Sequence, residues 1–266
     1  MRAVNAPRVL RVLTANLHAC AGLDPIPPSG LPAPTVRGTL GRLAAVLAAE
    51  APDVIMAQEL DLCGGRTSQV AQADELAARL GMHVVTATCM DTRACDVPAP
   101  LHDLLYGIAL FTRLPLSDVT ERVLPPTVGT PPEERKVLMG TLPGGLRVAC
   151  AHLDPFPTAA RHAQLRALSE AIGPRTILGA DLNEPLLSPP NTDPAFARYG
   201  WRERSEALDL EPPGDLIPTW PWPDAVADID HVLVRGPGLR ALRRWRVDPA
   251  GASDHWFLCA DVEVLP

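Results

Sequence analysis

Six polar stretches stand at the ends of apolar runs: Asn16, Gln58 with Glu59, His152 with Asp154, Asp181 with Asn183, Asp230 with His231, and Ser253 with Asp254 and His255. Their side chains are carboxylates, carboxamides and imidazoles, the groups that hold divalent cations and move protons. Glu59 and Asp254 are hard oxygen donors of the kind Mg2+ or Mn2+ takes, and Asn16 adds a neutral oxygen. Magnesium keeps several of its waters, so sparse protein ligands suffice. Asp181 and Asn183 are two apart, which in extended chain sends both side chains to one face. Asp181 can orient or deprotonate a water there, and Asn183 can donate a hydrogen bond to an oxygen on which charge builds. Asp230 against one ring nitrogen of His255 would fix the tautomer and favour the imidazolium. Taken singly, each stretch is more often a solvated turn or a local side-chain-to-backbone turn than a functional group. The chemical reading rests on all six together.

The elements that must deliver these groups are strands with interspersed helices. Val9 to Leu13 reads as a strand with Asn16 at its end, and Asp53 to Glu59 as a buried strand. Between them Thr35 caps a helix to about Glu50, with Val36, Leu40, Leu43 and Leu47 on one face. A second helical pattern runs from Arg66 to Leu80 and stops at Gly81. Strands follow at His83 to Thr88 and Tyr106 to Thr112, then a hairpin pair, Val137 to Leu142 and Leu146 to His152. A helix from Thr158 to about Ile172 precedes a short strand, Thr176 to Leu178, that runs into Asp181. Ile229 to Val234, Leu239 to Val247 and Trp256 to Val264 close the chain as strands, and proline-rich loops are expected at 24–34, 125–134, 184–194 and 211–223. The pattern predicts one mixed α/β domain over residues 1–266.

Composition narrows the class. Apolar residues make up 47% and charged residues 21%, ordinary globular proportions for a chain that can bury a core without staples. No apolar run approaches a membrane span, and Arg8 and Arg11 break the apolar start where a signal peptide needs continuity. A cytoplasmic protein is expected. The six cysteines form no CxxC pair and read as free thiols, with Cys89 and Cys95 close enough to close a small loop. A net charge of −7 argues against wrapping nucleic acid over the whole surface.

The ordered set resembles the endonuclease/exonuclease/phosphatase superfamily, the DNase I-like fold. Pro52 to Ile55 ahead of Gln58 and Glu59, Gly107 through Arg113, and Arg161 with Gln164 behind the His152 strand are similar to that family too. The resemblance spans residues 9–264. It implies a single-domain, two-sheet α/β sandwich with helices on the outer faces. It also implies a metal-dependent phosphoesterase, in which water attacks a phosphodiester or phosphomonoester. On the matched positions it implies Asn16, Glu59 and Asp254 around Mg2+ or Mn2+. His152, Asp181, Asn183, Asp230 and His255 would surround the scissile phosphate, with Tyr106 a further phosphate contact or a packing residue. His18 either lines the pocket or caps a loop. Three positions depart from the family pattern: Ala180 stands where glycine precedes the aspartate, Asp228 where arginine is common, and His231 where tyrosine is usual. Asp228 reads either as added charge beside the phosphate site or as a solvated strand end.

The resemblance leaves the substrate open between a phosphorylated small molecule and a nucleic-acid end, with no membrane and no obligate protein partner. The arginines between Arg235 and Arg246 form either a basic stripe for phosphates or a charge-protected edge strand. Trp201, Trp220 and Trp222 are candidate pocket walls. The rival readings are a family member repurposed for other metal-assisted chemistry and a non-catalytic protein that keeps the fold. A GxSxG elbow, HExxH and a P-loop are all missing from the sequence, which argues against serine hydrolases, zinc peptidases and P-loop NTPases.

Overall fold

A computed structural model of the chain describes residues 7–93, 95–97, 101–126, 133–156, 158–184 and 217–266. Trp201 and residues 127–132, 185–194 and 211–216 of the expected loops lie outside the described residues. In chain order the elements are β1 (Arg8–Asn16), α1 (Ala33–Ala49), β2 (Val54–Cys63), α2 (Gln72–Leu80), β3 (His83–Asp91), β4 (Leu105–Thr112) and β5 (Ser117–Val123). Then come β6 (Lys136–Leu142), β7 (Leu146–His152), α3 (Thr158–Ala171), β8 (Thr176–Asp181), β9 (Asp230–Arg235), β10 (Leu239–Val247) and β11 (Phe257–Val264). The strands form two mixed sheets, ordered β10-β11-β1-β2-β4-β3 and β5-β6-β7-β8-β9. This is the two-sheet sandwich the resemblance implied.

Period-2 alternation builds three apolar layers. Val12, Met56, Ile108, Leu110, Val148, Ile177 and Val232 meet between the sheets. On the outer face of the six-stranded sheet, Leu13, Ile55 and Phe111 pack under Leu40, Leu43 and Leu47 of α1 and Leu76 of α2. On the outer face of the five-stranded sheet, Ala149, Leu178 and Leu233 pack under Leu165 and Leu168 of α3.

Several boundaries differ from the sequence expectation. α1 starts at Ala33 with no side-chain cap, because its N-cap is Pro32, whose ring carries no acceptor; the Thr35 N–H bonds the Pro32 carbonyl instead. α2 begins at Gln72, not Arg66. Ser68 and Gln69 adopt left-handed φ of 55° and 59°, which no helix continues through. Arg66 is instead drawn to the buried Asp61 carboxylate at 2.5 Å. β5 was not expected; it is exposed along its whole length and lacks the apolar face that marks a strand. Cys89 and Cys95 are free, as are the other four cysteines. No helix among the described residues is long and apolar enough to cross a membrane.

Candidate active site

The polar residues continue the inter-sheet face at one end of the sandwich. Along β1, Val12 and Thr14 lead to Asn16. Along β7, Val148 and Cys150 lead to His152; along β8, Ile177 and Gly179 lead to Asp181. Two-residue alternation carries each apolar row into a functional side chain at the strand end. The pairing then sets the row, with His152 beside Asp181 on parallel β7 and β8, and Asp181 beside Asp230 on antiparallel β8 and β9.

Glu59 needs a different device. Simple alternation after Met56 puts Gln58 on the inter-sheet face and sends Glu59 the other way. Gln58 does face inward, where its Nε2 donates to Thr14 Oγ1 at 3.1 Å and lies 3.3 Å from Cys150 Sγ. The ladder between β2 and β4 slips between Ala57 and Leu60, and Glu59 takes a left-handed φ of 58°. Such a bulge re-aims a side chain, and here it turns Glu59 into the cleft. Asn183 is also left-handed, at φ 49°, a conformation asparagine tolerates, and its N–H donates to Asp181 Oδ1 at 2.9 Å.

Gly179 explains the departure at Ala180. A Cβ at Gly179 would stand 2.5 Å from Met56 Cε and 2.8 Å from its Cβ, so a larger residue there would displace the Met56 side chain that packs between β2 and β8. Ala180 points to the α3 side and is fully buried there.

These groups form one bonded set. Asn16 Nδ2 donates to Glu59 Oε1 at 2.9 Å and to Asp181 Oδ2 at 3.0 Å, while its Oδ1 accepts the His18 N–H. Asp181 Oδ2 lies 3.6 Å from His152 Nε2 and 3.9 Å from His255 Nε2. His255 Nδ1 is 2.8 Å from Asp230 Oδ2. Asn183 Nδ2 donates to the Leu153 carbonyl at 2.9 Å and to His152 Nε2 at 3.2 Å. Glu59, His152, Asp181, Asn183, Asp254, His255 and Tyr106 all line a single cleft of about 380 Å³. Asn16 and Asp230 bond to its floor from beneath.

Burial and charge set the protonation states. Burial, then the charge of Asp230, pushes the Asp181 carboxyl up to about 7. Burial works against a charged His255, but the charge and hydrogen bond of Asp230 outweigh it and raise the imidazole to about 10. Burial, with Arg135 and His255 nearby, holds His152 well below the usual imidazole range, so its Nε2 is the acceptor for Asn183. The site thus pairs a protonated imidazole with a neutral one around a carboxyl that titrates near neutrality.

The ligand atoms of Glu59, His152 and Asp181 lie within 4.8 Å of one another, as do those of Asp181, Asp230 and His255. Carboxylates outnumber basic groups in this cleft, and the oxygen-rich donor set fits a hard divalent cation. Asp254 stands 3.6 Å from His18 Nδ1, which is also 2.8 Å from the Gly22 carbonyl oxygen. Tyr106 lies at the cleft wall, its ring under the Arg66 guanidinium at 5.3 Å.

Asp228 and His231 are not cleft residues. Asp228 is buried rather than solvated, and its charge falls on His231, whose imidazole burial holds below its usual range. His231 Nε2 is 3.1 Å from the Glu184 carbonyl oxygen. The arginine stripe is committed to protein partners. Arg240 pairs with Glu263, Arg243 with Asp261, and Arg246 stacks on Trp256. Since β10 is a sheet edge, the protected-edge reading accounts for these three.

Sequence reasoning missed Glu133, Arg135 and Phe156 in the cleft wall. The first two belong to a charged run that reads as a surface loop, yet Arg135 is buried at the foot of β6. The only signal was their position directly before an apolar strand. Behind His152, Gln164 Oε1 accepts the Asp154 N–H at 2.9 Å, and Arg161 Nη1 donates to the Pro155 carbonyl at 2.9 Å, so α3 fixes this loop.

A two-sheet sandwich with a buried carboxylate–imidazole row at one end defines the class of DNase I-like α/β proteins. The sequence profile of the Endonuclease/Exonuclease/phosphatase family matches residues 13–255, and the chain belongs to that family. A comparison of the sequence with curated proteins finds no match. Among solved structures it is similar to an endonuclease/exonuclease/phosphatase from Beutenbergia cavernae, with TM-score 0.71 and 24% identity over 97% of this chain and 72% of that one. It is similar to the human Nocturnin catalytic domain, with TM-score 0.61 and 18% identity over 96% and 93%. It is also similar to an AP endonuclease from Archaeoglobus fulgidus, with TM-score 0.62 and 15% identity over 94% and 98%. At these identities the likeness shows the fold.

Proposed function

We propose that the chain is a divalent-metal-dependent phosphoesterase that hydrolyses a phosphodiester or phosphomonoester by attack of water. The observation that carries this reading is Asp181, a buried carboxyl bonded to Asn16 and flanked by two histidines in opposite charge states, all in one cleft. Glu59 and Asp254, with Asn16 beside them, would hold Mg2+ or Mn2+. The bound cation would neutralise charge on the phosphoryl oxygens. Asp181, with its pKa of about 7, is poised to orient a water and take its proton near neutral pH. His255, kept protonated by Asp230, donates to a phosphoryl oxygen, while the Asn183 amide spends its two protons on the Leu153 carbonyl and His152 and so positions the imidazole. His152, neutral and held by Asn183, faces the leaving group. Phe156 and Trp220 in the cleft wall suit the organic part of a compact ester, either a phosphorylated small molecule or a nucleic-acid end. The six free thiols support a reducing, cytoplasmic setting.

The test is product release from a bis-aryl phosphodiester, an aryl phosphomonoester, plasmid DNA, abasic-site duplex and single-stranded RNA, each with Mg2+, Mn2+ or EDTA. Metal-dependent turnover that disappears in Asp181→Ala supports the proposal. Turnover that survives EDTA, or Asp181→Ala, overturns it.

A further inference from the structure

Glu133 and Arg135 stand in the cleft wall with Glu59 and Asp181, and the proposed hydrolysis uses neither. Arg135 is almost wholly buried, with its side chain 8% exposed, and Glu133 is 20% exposed. Arg135 Nη1 lies 2.7 Å from Glu133 Oε1, and its Nε donates to Asp154 Oδ1 at 3.2 Å. One guanidinium thus faces two carboxylates. The contact with Glu133 is a charge pair alone, since neither of the two buried atoms makes a well-directed hydrogen bond. His255, the other cation facing the cleft among the described residues, is already matched by Asp230. Glu59, Asp181 and Asp254 add further carboxylates to the lining.

We infer that Glu133 sets the charge selectivity of this cleft: by neutralising Arg135 it matches the site to the single charge of a phosphodiester and turns away the double charge of a phosphomonoester. The inference rests on the phosphoesterase reading and names its substrate class. A bound cation attracts each substrate in proportion to its charge and is the same in wild type and variant, so the wall sets the difference between them. The negative wall acts twice as strongly on a dianion as on a monoanion, and a half-buried site screens it less than water does. Replacing Glu133 by glutamine keeps the shape, removes one negative charge from the wall and leaves Arg135 matched by Asp154 alone.

The probes are methyl phosphate and dimethyl phosphate, matched in chemistry and differing in charge, since a phosphate monoester is a dianion at pH 8. Each is titrated by calorimetry into the Mg2+-loaded wild type and Glu133→Gln, with Glu133→Ala as a second variant and thermal melting as the fold control. In the variants methyl phosphate should tighten about tenfold and dimethyl phosphate less than about threefold. The ratio of diester to monoester turnover should fall by a similar factor. Equal changes for both anions, or none, overturn the inference while leaving hydrolysis intact. A wild type that binds the anions with this selectivity but turns over no ester defeats the phosphoesterase reading alone. A wild type that binds neither anion defeats both.

Discussion

Asp230→Asn tests the electrostatics of the site directly. The substitution keeps the shape, and the new amide oxygen can still accept from His255 Nδ1, now 2.8 Å from the carboxylate. Only the charge is lost. In the wild type the imidazole stands at about 10 although it is buried, against roughly 6.5 in the unfolded chain. That difference corresponds to about 5 kcal/mol favouring the imidazolium, an upper bound for a buried pair. Removing one partner of such a pair commonly costs about 3–5 kcal/mol. The folded-state pKa lies above the unfolded one. The stabilisation is therefore complete below pH 6.5 and is lost as pH rises through about 10. Urea unfolding in EDTA should show the wild type about 3 kcal/mol more stable than Asp230→Asn at pH 6.5, and about 1 kcal/mol more stable at pH 9.5. NMR of the ring should show His255 titrating far above 7 in the wild type and below it in the variant. A stability gap that does not change with pH, or a wild-type His255 that titrates near 6.5, refutes the reasoning.

Asp181 shifts stability with pH in the same direction, but here the state that burial favours is the neutral one. Its folded pKa of about 7 lies above the unfolded value, so ionisation weakens the metal-free fold as pH rises through 7. Asp181→Asn should stabilise the EDTA-treated protein by about 2 kcal/mol at pH 8 and not at pH 4, while abolishing turnover. Denaturation at the two pH values checks this, and equal stability changes count against it. A Cβ at Gly107 would lie 2.0 Å from the Ala87 carbonyl oxygen, backbone that cannot yield, so Gly107→Ala should cost about 2 kcal/mol or more in urea unfolding. Phe111 is fully buried under the helices. Phe111→Ala should cost about 3–5 kcal/mol, yet keep full turnover per folded molecule at 20 °C, because it lies on the face away from the cleft.

The functional row was legible because strand alternation is a local rule. Once Val148 and Cys150 face inward, His152 must follow, and the same holds for Asp181 after Gly179. The two sheets were implied by the resemblance, and the apolar layers follow from the same alternation. What escaped notice has a physical cause in each case. β5 is exposed throughout and held by pairing with β6 alone, so its sequence carries no period-2 apolar signal. The turn before α2 is set by Asp61, a partner whose proximity to Arg66 depends on tertiary structure. The turn of Glu59 into the cleft depends on one left-handed residue, which a sequence of ordinary residue types does not announce. Arg135 looked like loop charge because its partners, Glu133 and Asp154, flank it from two separate strand ends.

β11 comes last in the chain, yet it lies inside the six-stranded sheet against β1. The turn that leads into it carries Asp254 and His255, and the Ser253 hydroxyl there bonds the Asn16 carbonyl at 2.7 Å. The earliest site residue to be synthesised is thus secured by one of the latest. At ordinary translation speeds the centre stays incomplete for on the order of 10–50 s of synthesis, with β1 an open sheet edge throughout. A chain cut before Ser253 never acquires Asp254 or His255. Any phosphoester cleavage at this centre therefore waits for synthesis to pass His255, and a chain that stops before Ser253 lacks two of the groups that line the cleft.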